Sequence, residues 1–160
     1  MKSSSFRHGG PRRARGFTLL EVLIALLVLA FGLLGFALLQ TMNLRFTQSA
    51  NHRTQATNLA YDLLDQIRAN RLQAPEYTAI TPGTFAGETG SNCPQTVAVV
   101  TDSIKRWRCQ VVATLGTGAN ATVNYTAADG MVSVRVAWND QRWVENPLDR
   151  EKYFELRTQL

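Results

Sequence analysis

The sequence predicts an α+β fold, in which one long N-terminal helix packs on an antiparallel β-sheet. Three observations lead to this fold class. An apolar run without charges fills residues 22–39, an apolar stripe at helical spacing follows within residues 56–67, and runs rich in β-branched and aromatic residues lie between residues 96 and 158. The helix is therefore predicted to span a membrane in its first half and to be amphipathic in its second half.

The apolar run from Val22 to Leu39 has 18 consecutive residues without a charge. At about 1.5 Å per residue it spans roughly 27 Å, close to the hydrocarbon thickness of a bilayer, so one transmembrane helix is predicted. The alternative is a secretory signal peptide cleaved after Ala30. Against it, residues 31–39 remain apolar beyond that cut, and a signal peptide has no use for a carboxylate such as Glu21 at the start of its apolar region.

The positive charge of the chain is concentrated at its N-terminus. The 160 residues include 17 Lys and Arg against 12 Asp and Glu, a formal net charge of +5. Residues 1–16 hold all of that excess and no acid, so the remainder is balanced and the basic pI does not indicate a nucleic-acid surface. Because positive flanks stay in the cytoplasm, the N-terminus is predicted to lie inside and the chain after Leu44 outside, in a bacterial periplasm.

A short pattern precedes the apolar run. Phe17 follows Gly16, and Glu21 stands four residues further on, after a basic leader. This arrangement resembles the class III signal of type IV pilins and of type II secretion pseudopilins. The resemblance implies that a prepilin peptidase cleaves between Gly16 and Phe17 on the cytoplasmic side and methylates the new amine of Phe17.

Glu21 is the ionisable group at the edge of the apolar segment. A carboxylate in such a position costs free energy and is a candidate for function. The resemblance implies that Glu21 pairs with the Phe17 amine of a neighbouring subunit and so sets the axial register of a filament. The alternative is a residue at the water interface without a role.

The chain is predicted to have three parts. Residues 1–16 form a cleaved basic leader, residues 17–42 a hydrophobic helix in the membrane or filament core, and residues 43–160 a periplasmic globular domain. One continuous helix is expected from Phe17 to Asn70, because no proline interrupts it. Its apolar stripe is interpreted as ordinary core packing and consists of Ala56, Leu59, Ala60, Leu63, Leu64 and Ile67.

The globular domain is predicted to contain a loop and a sheet. Gly, Thr and Pro make residues 72–92 a loop. The expected strands are Thr96–Thr101, Trp107–Leu115, Ala121–Ala127, Met131–Trp138 and Tyr153–Thr158. Hairpin turns are expected at residues 116–118 and 129–130, which makes the sheet antiparallel. One face of the fourth strand should cover the helix stripe and consists of Val132, Val134, Val136 and Trp138.

Cys93 and Cys109 are the two cysteines of the chain. In an exported domain such a pair favours a disulfide bond. Two thiolates without a nearby histidine are too few to hold a structural metal ion. The alternative is a pair of free, buried thiols.

The sequence offers no catalytic constellation, and neither a cofactor nor a metal ion is predicted. Phosphate loops, dinucleotide fingerprints, His-Glu-x-x-His and nucleophile elbows do not occur in it. His52 lies on the predicted helix without an evident partner in sequence, and the charged residues of segment 142–155 read as a solvated, mutually paired surface. The protein is expected not to be an enzyme, and an anchored periplasmic enzyme is the alternative.

A basic and aromatic run occurs at residues 105–108. Lys105, Arg106, Trp107 and Arg108 have the interleaving found in nucleic-acid readers. Because Trp107 begins a predicted strand, the flanking charges are interpreted as a turn. Nucleic acid is therefore an unlikely partner, and a DNA-capturing pilin is retained as an alternative.

Short pieces later in the chain are similar to minor pilins, namely residues 31–35, 67–70 and 136–140. This resemblance implies a structural subunit that primes pilus assembly in a tip complex and supports adhesion and twitching motility. The implied partners are the prepilin peptidase, other minor and major pilins, a tip adhesin and inner-membrane lipid. The implied location is a single-pass inner-membrane state followed by the filament or its tip. A minor pseudopilin of type II secretion is the alternative.

Overall fold

The computed structural model describes residues 16–140 and 151–160. Its regular elements are helix α1 (Leu19–Ala69), 3₁₀ helices Arg71–Ala79 and Pro82–Phe85, helix α2 (Val100–Leu115) and strands β1 (Asn120–Thr126), β2 (Met131–Asn139) and β3 (Glu151–Gln159). The chain divides into two compact units, with the boundary between Leu44 and Arg45. The sequence predicted the long first helix to within two residues at either end.

The part of α1 before Arg45 is apolar and exposed on all sides. By length and composition α1 is a helix that could cross a membrane. Thr18 stands at its N-terminus, where its side-chain oxygen accepts a hydrogen bond from the backbone N–H of Glu21 at 3.3 Å. A threonine followed three residues later by glutamate is a preferred helix start, because it satisfies free N–H groups and places negative charge at the positive end of the helix dipole.

The second unit has a three-stranded antiparallel sheet in the order β1-β2-β3. Val134 of β2 lies opposite Val123 of β1 and Leu156 of β3. The β1–β2 hairpin turns at Gly130, whose φ of +67° favours glycine, and Asp129 Oδ1 accepts a hydrogen bond from the N–H of Met131 at 3.0 Å. This turn and the last three predicted strands are confirmed.

The core of the second unit lies between α1, α2 and one face of the sheet. The helix stripe contributes five buried residues, and Leu59 packs against them while partly buried. The predicted face of β2 is buried, from Val132 to Trp138. Both predicted surfaces therefore belong to one hydrophobic core. Because residues on one face of a strand recur at every second position, the buried face of β2 could be predicted from the sequence.

The first two predicted strands are wrong. The segment from Val100 to Leu115 is helix α2, and residues 96–99 form no strand. Five of the seven buried residues of α2 recur at spacings of three and four: Val100, Ile104, Trp107, Val111 and Leu115. Composition rich in β-branched residues is a weak preference that such packing overrides.

Two smaller expectations also change. Residues 116–118 form no hairpin turn, because Gly116 ends α2 with a φ of +95° and donates its N–H to the Val112 carbonyl at 2.9 Å. The expected loop at 72–92 contains the two 3₁₀ helices, which bury Tyr77 and Phe85. The Ile80 carbonyl accepts the N–H of Val123 at 3.1 Å, so this segment covers part of the outer edge of β1.

Candidate functional site

The predicted processing site lies at the beginning of the described chain. Among the residues that the structure describes, no atom would approach a side chain added at Gly16, and Phe17 is 82% exposed. Glu21 is exposed two residues into α1. The described part of the chain therefore covers neither Gly16 nor Phe17.

Phe17 and Glu21 lie along one surface of the helix start. They border the same shallow groove, whose remaining lining is apolar and consists of Val22, Ala25, Leu26 and Leu29. An amine created at Phe17 would stand beside an apolar helix surface, with Glu21 as an acid close in sequence. In a medium of low dielectric constant, opposite charges attract far more strongly than they do in water.

Cys93 and Cys109 form the predicted disulfide bond, which excludes the alternative of two free, buried thiols. The Cα atoms of Cys93 and Cys109 are 5.5 Å apart. The bond ties the segment after the second 3₁₀ helix to α2. Nearby, Gly90 approaches α2 so closely that a Cβ atom there would lie 2.5 Å from the backbone nitrogen of Ala113.

Arg108 strengthens the same attachment. Its guanidinium donates to Glu88 Oε1 at 2.7 Å and to the carbonyl oxygen of Thr84, and it lies over the ring of Phe85 at 5.7 Å from the centroid. Only 18% of the Arg108 side chain is exposed. The sequence alone did not reveal this role, because its partners lie 20 and 24 residues earlier.

The basic and aromatic run at 105–108 is not arranged as a nucleic-acid surface. Trp107 is fully buried and donates its indole N–H to the Leu59 carbonyl at 3.0 Å, so its ring cannot stack on a base. Arg108 is paired as described, and only Lys105 of the run is exposed. The proposed turn at these charges is wrong as well, since all four residues belong to α2.

His52 has a partner that sequence reasoning missed. Its Nδ1 lies 4.0 Å from Oδ1 of Asp140, whose other oxygen accepts a hydrogen bond from the Ser49 hydroxyl. This group joins α1 to the residue after β2. Because Ser49 donates to Asp140 and not to His52, the three side chains do not form a nucleophile with its general base. The separation of about ninety positions along the chain left no local signal for the contact.

Within residues 16–140 and 151–160, no three His, Cys, Asp or Glu residues come together in a group that could hold a metal ion. The charged segment predicted around Glu145 lies mostly outside the described residues. Glu155, at the end of this segment, forms an ion pair at 2.6 Å with Arg157, which lies outside the predicted set.

Comparison with known families gives two matches that adjoin each other along the chain. Residues 11–37 match the prokaryotic N-terminal methylation motif. Residues 38–112 match the family described as type IV pilin Tt1218. No curated protein and no solved structure gives a significant match. Together with the long apolar helix and the antiparallel sheet, the two family matches support the assignment of this chain to the type IV pilin superfamily.

Proposed function

We propose that this protein is a minor pilin of the type IV pilus, similar to PilV, the pilus modification and assembly protein. In this role it is a structural subunit that helps to prime the pilus and its tip complex. Pilins are generally structural rather than enzymatic, and the family matches imply contacts with other pilins and with a prepilin peptidase. Support for adhesion and for twitching motility would follow from assembly of the pilus.

The observation that carries the proposal is the exposed apolar surface between Leu19 and Leu44. Seventeen large hydrophobic side chains of this segment, including Leu26 and Phe36, are each between 45% and 88% exposed. Each buried leucine or phenylalanine contributes roughly 1.5–3 kcal/mol relative to exposure in water. Such a surface requires an apolar environment, which the lipid of the membrane would supply before assembly and the helices of other subunits would supply in the filament.

The start of the helix fits the same proposal. Cleavage before Phe17 would create an α-ammonium group at the boundary of the apolar segment. Glu21 would then pair with that group on a neighbouring subunit, because a lone carboxylate taken out of water needs a positive partner. The backbone cap at Thr18 uses the N–H of Glu21 and leaves its carboxylate available for this pair.

Mass spectrometry of the mature protein tests the processing step. We expect residues 1–16 to be absent and the amine of Phe17 to be methylated. Replacing Gly16 with a bulky residue should leave uncleaved precursor in the inner membrane. An intact leader, or a new N-terminus after Ala30, would refute the proposal.

Glu21→Gln tests the role of the charge, because glutamine keeps the size and polarity of the side chain. Membrane insertion should be unchanged, whereas incorporation into sheared pili should fall, as measured by immunoblotting both fractions. Glu21→Asp is the matched control, since it retains the negative charge. Equal incorporation of all three proteins would remove the ion pair from the proposal.

A minor pseudopilin of type II secretion is the second candidate, because it carries the same N-terminal motif. Affinity purification of the tagged full chain distinguishes the two candidates, since either pilus subunits or secretion components would be recovered with it.

A DNA-uptake pilin is less well supported, because Trp107 is buried and Arg108 is paired. Salt-sensitive DNA retention that is lost in Lys105→Ala would support this function.

A further inference from the structure

The connecting segment, residues 86–99, joins the second 3₁₀ helix to α2 and has few backbone contacts. Among the described residues, no backbone–backbone hydrogen bond joins residues 89–97 to a helix or a strand. Most of its side chains are exposed, and glycines at positions 87 and 90 give its backbone additional freedom. The place of the connecting segment on α2 therefore depends on a small number of contacts made by side chains.

Arg108 of α2 makes the contacts at the beginning of this segment. Its guanidinium donates to Glu88 Oε1 at 2.7 Å and to the Thr84 carbonyl oxygen, and it lies over the ring of Phe85. The side chains of Arg108 and Glu88 are 18% and 30% exposed, so the charge pair is partly removed from water. Opposite charges attract more strongly there than on an open surface. These contacts involve no cysteine, so they can form before the disulfide bond does.

One donor of Arg108 is left unused. Its Nε is buried and has no hydrogen-bond partner among the described residues. A buried cation that is incompletely hydrogen-bonded costs free energy. Buried ion pairs often stabilise a protein no more than apolar residues of the same size would, and in some proteins they instead specify one arrangement of the chain. The arrangement that Arg108 can specify is the place of the connecting segment on α2.

This arrangement brings the two cysteines together. Gly90 lies between Glu88 and Cys93 in the sequence. A Cβ atom on Gly90 would lie 2.5 Å from the backbone nitrogen of Ala113, so the segment touches α2 at this point. Cys109 lies one helical turn before Ala113, about 6 Å away along the axis. Since the three residues from Gly90 to Cys93 span at most about 11 Å, Cys93 is confined to the neighbourhood of Cys109.

We propose that Arg108 is a positioning residue that keeps Cys93 beside Cys109 while both are still reduced. It does so by holding Thr84 and Glu88, so that the connecting segment retains its place on α2 without the covalent bond. Cys93 and Cys109 are the only cysteines of the chain, so the competing reaction is a bond to a cysteine of another molecule. Arg108 thereby favours the bond within the chain over bonds between chains.

The reaction proceeds by thiol–disulfide exchange, for example with oxidised glutathione. The thiolate of one cysteine attacks a sulfur of oxidised glutathione, which forms a mixed disulfide and releases one glutathione thiolate. The thiolate of the other cysteine then attacks the protein sulfur of the mixed disulfide, which forms the internal bond and releases the second glutathione thiolate. The chain loses two electrons and two thiol protons, and one oxidised glutathione becomes two reduced molecules. Arg108 acts on the second exchange, because it raises the effective concentration of one cysteine at the other.

The test measures the equilibrium of the full chain in detergent micelles with reduced and oxidised glutathione. Free thiols are alkylated and counted by mass spectrometry, and dimers are separated on a non-reducing gel. Arg108→Met keeps the apolar stem of the side chain. It should lower the equilibrium constant for the internal bond roughly 10- to 100-fold, the change expected when a hydrogen bond to a charged group is lost, and should increase the fraction of disulfide-linked dimers. An unchanged constant would overturn the proposal.

Lys105→Met is the matched control for charge. Lys105 is exposed and lies one helical turn before Cys109, so this variant removes a positive charge near the thiols without removing the contacts of Arg108. Its equilibrium constant should equal that of the wild type. A decrease as large as that of Arg108→Met would assign the effect to the charge near the thiolates and contradict positioning.

Val134→Ala is the control for stability. It removes core volume from β2, so it should lower the free energy of unfolding but leave the equilibrium constant of the folded protein unchanged. Glu88→Gln is a milder second variant of the ion pair and should lower the constant in the same direction as Arg108→Met. Circular dichroism establishes that each variant is folded. If Val134→Ala lowers the constant as much as the two variants of the pair, the effect follows from stability alone and the proposal is wrong.

Discussion

The two parts of α1 contain similar apolar residues but bury them very differently. Before Arg45, side chains such as Leu26 are exposed on every side of the helix, with 56% of Leu26 accessible. After Arg45, the buried apolar residues occupy one stripe, and Leu63 is completely buried in the core that this stripe shares with the sheet and α2. Hydrophobic composition alone therefore does not determine burial within the chain. The distribution of apolar residues around the helix does.

This difference indicates where each part finds its stability. The stripe after Arg45 is satisfied by the chain itself, so its residues contribute to folding of the second unit. The all-round surface before Arg45 has no such cover among the described residues and depends on lipid or on other subunits. Substitutions in the two parts should consequently affect two different measurements, namely unfolding of the globular unit and assembly.

The largest contrast is expected between Leu63→Ala and Leu26→Ala. Leu63→Ala should lower the free energy of unfolding by about 2–5 kcal/mol, because it removes buried contacts and leaves a cavity. Leu26→Ala should leave it unchanged, since this side chain has no core partner. Urea denaturation of both full-length variants in detergent, followed by near-ultraviolet circular dichroism of the globular unit, measures the difference. Equal destabilisation by the two substitutions would contradict the comparison.

Loss of the disulfide bond should have the next largest effect. The paired substitution of Cys93 and Cys109 by alanine should destabilise the second unit by about 3 kcal/mol, because it frees a loop whose ends are 16 positions apart. Urea denaturation measures the change. The wild-type protein under reducing conditions is the control and should lose a similar amount. Membrane insertion should not change, and a defect there would show that the two parts are not independent.

Gly90→Ala and Gly87→Ala form the next pair. Both glycines have positive φ angles, +70° at Gly90 and +80° at Gly87, so alanine is strained at either position. A Cβ atom at Gly90 would also meet the backbone of Ala113, whereas the space at Gly87 is open. Gly90→Ala should therefore lose roughly 1–3 kcal/mol more stability than Gly87→Ala in thermal unfolding. Equal losses of stability would show that the backbone strain, and not the contact with Ala113, determines the effect.

Local patterns made much of the fold predictable. Three features depend on residues that are close together in the sequence: the stripe containing Leu63 and Ile67, the alternation of β2 and the Asp129–Gly130 turn. Helix α2 was misassigned because its β-branched composition was given more weight than the spacing of Val100, Ile104 and Trp107. That spacing is a helical signal and was present in the sequence.

Long-range contacts explain what could not be predicted. The residues Gly16, Phe17 and Glu21 lie close together in the sequence, so a processing site could be predicted there from a resemblance. The partners of Arg108 and His52 were not, because they depend on how distant segments meet. The position of β3 at the end of the order of the described strands likewise could not be predicted, because residue patterns alone did not determine that order.

The smallest effect expected is a pH dependence at Tyr77, which is buried in the second unit. Burial raises the pKa of Tyr77 above its ordinary value of 10.0; the hydrogen bond from Asn70 opposes this shift and the charge of Glu76 adds to it. As the pH rises, Tyr77 therefore loses its phenolic proton in the unfolded state before it does so in the folded state. The stability linked to this proton is complete below pH 10, and the free energy of unfolding declines as the pH rises further. Comparing urea denaturation of the wild type and Tyr77→Phe across this range measures it. The stability of the wild type should fall more steeply with pH, and parallel curves would show that burial of the phenol is not linked to folding. No such effect is expected from the part of α1 before Arg45. Leu26→Ala should therefore show the same dependence of the free energy of unfolding on pH as the wild type.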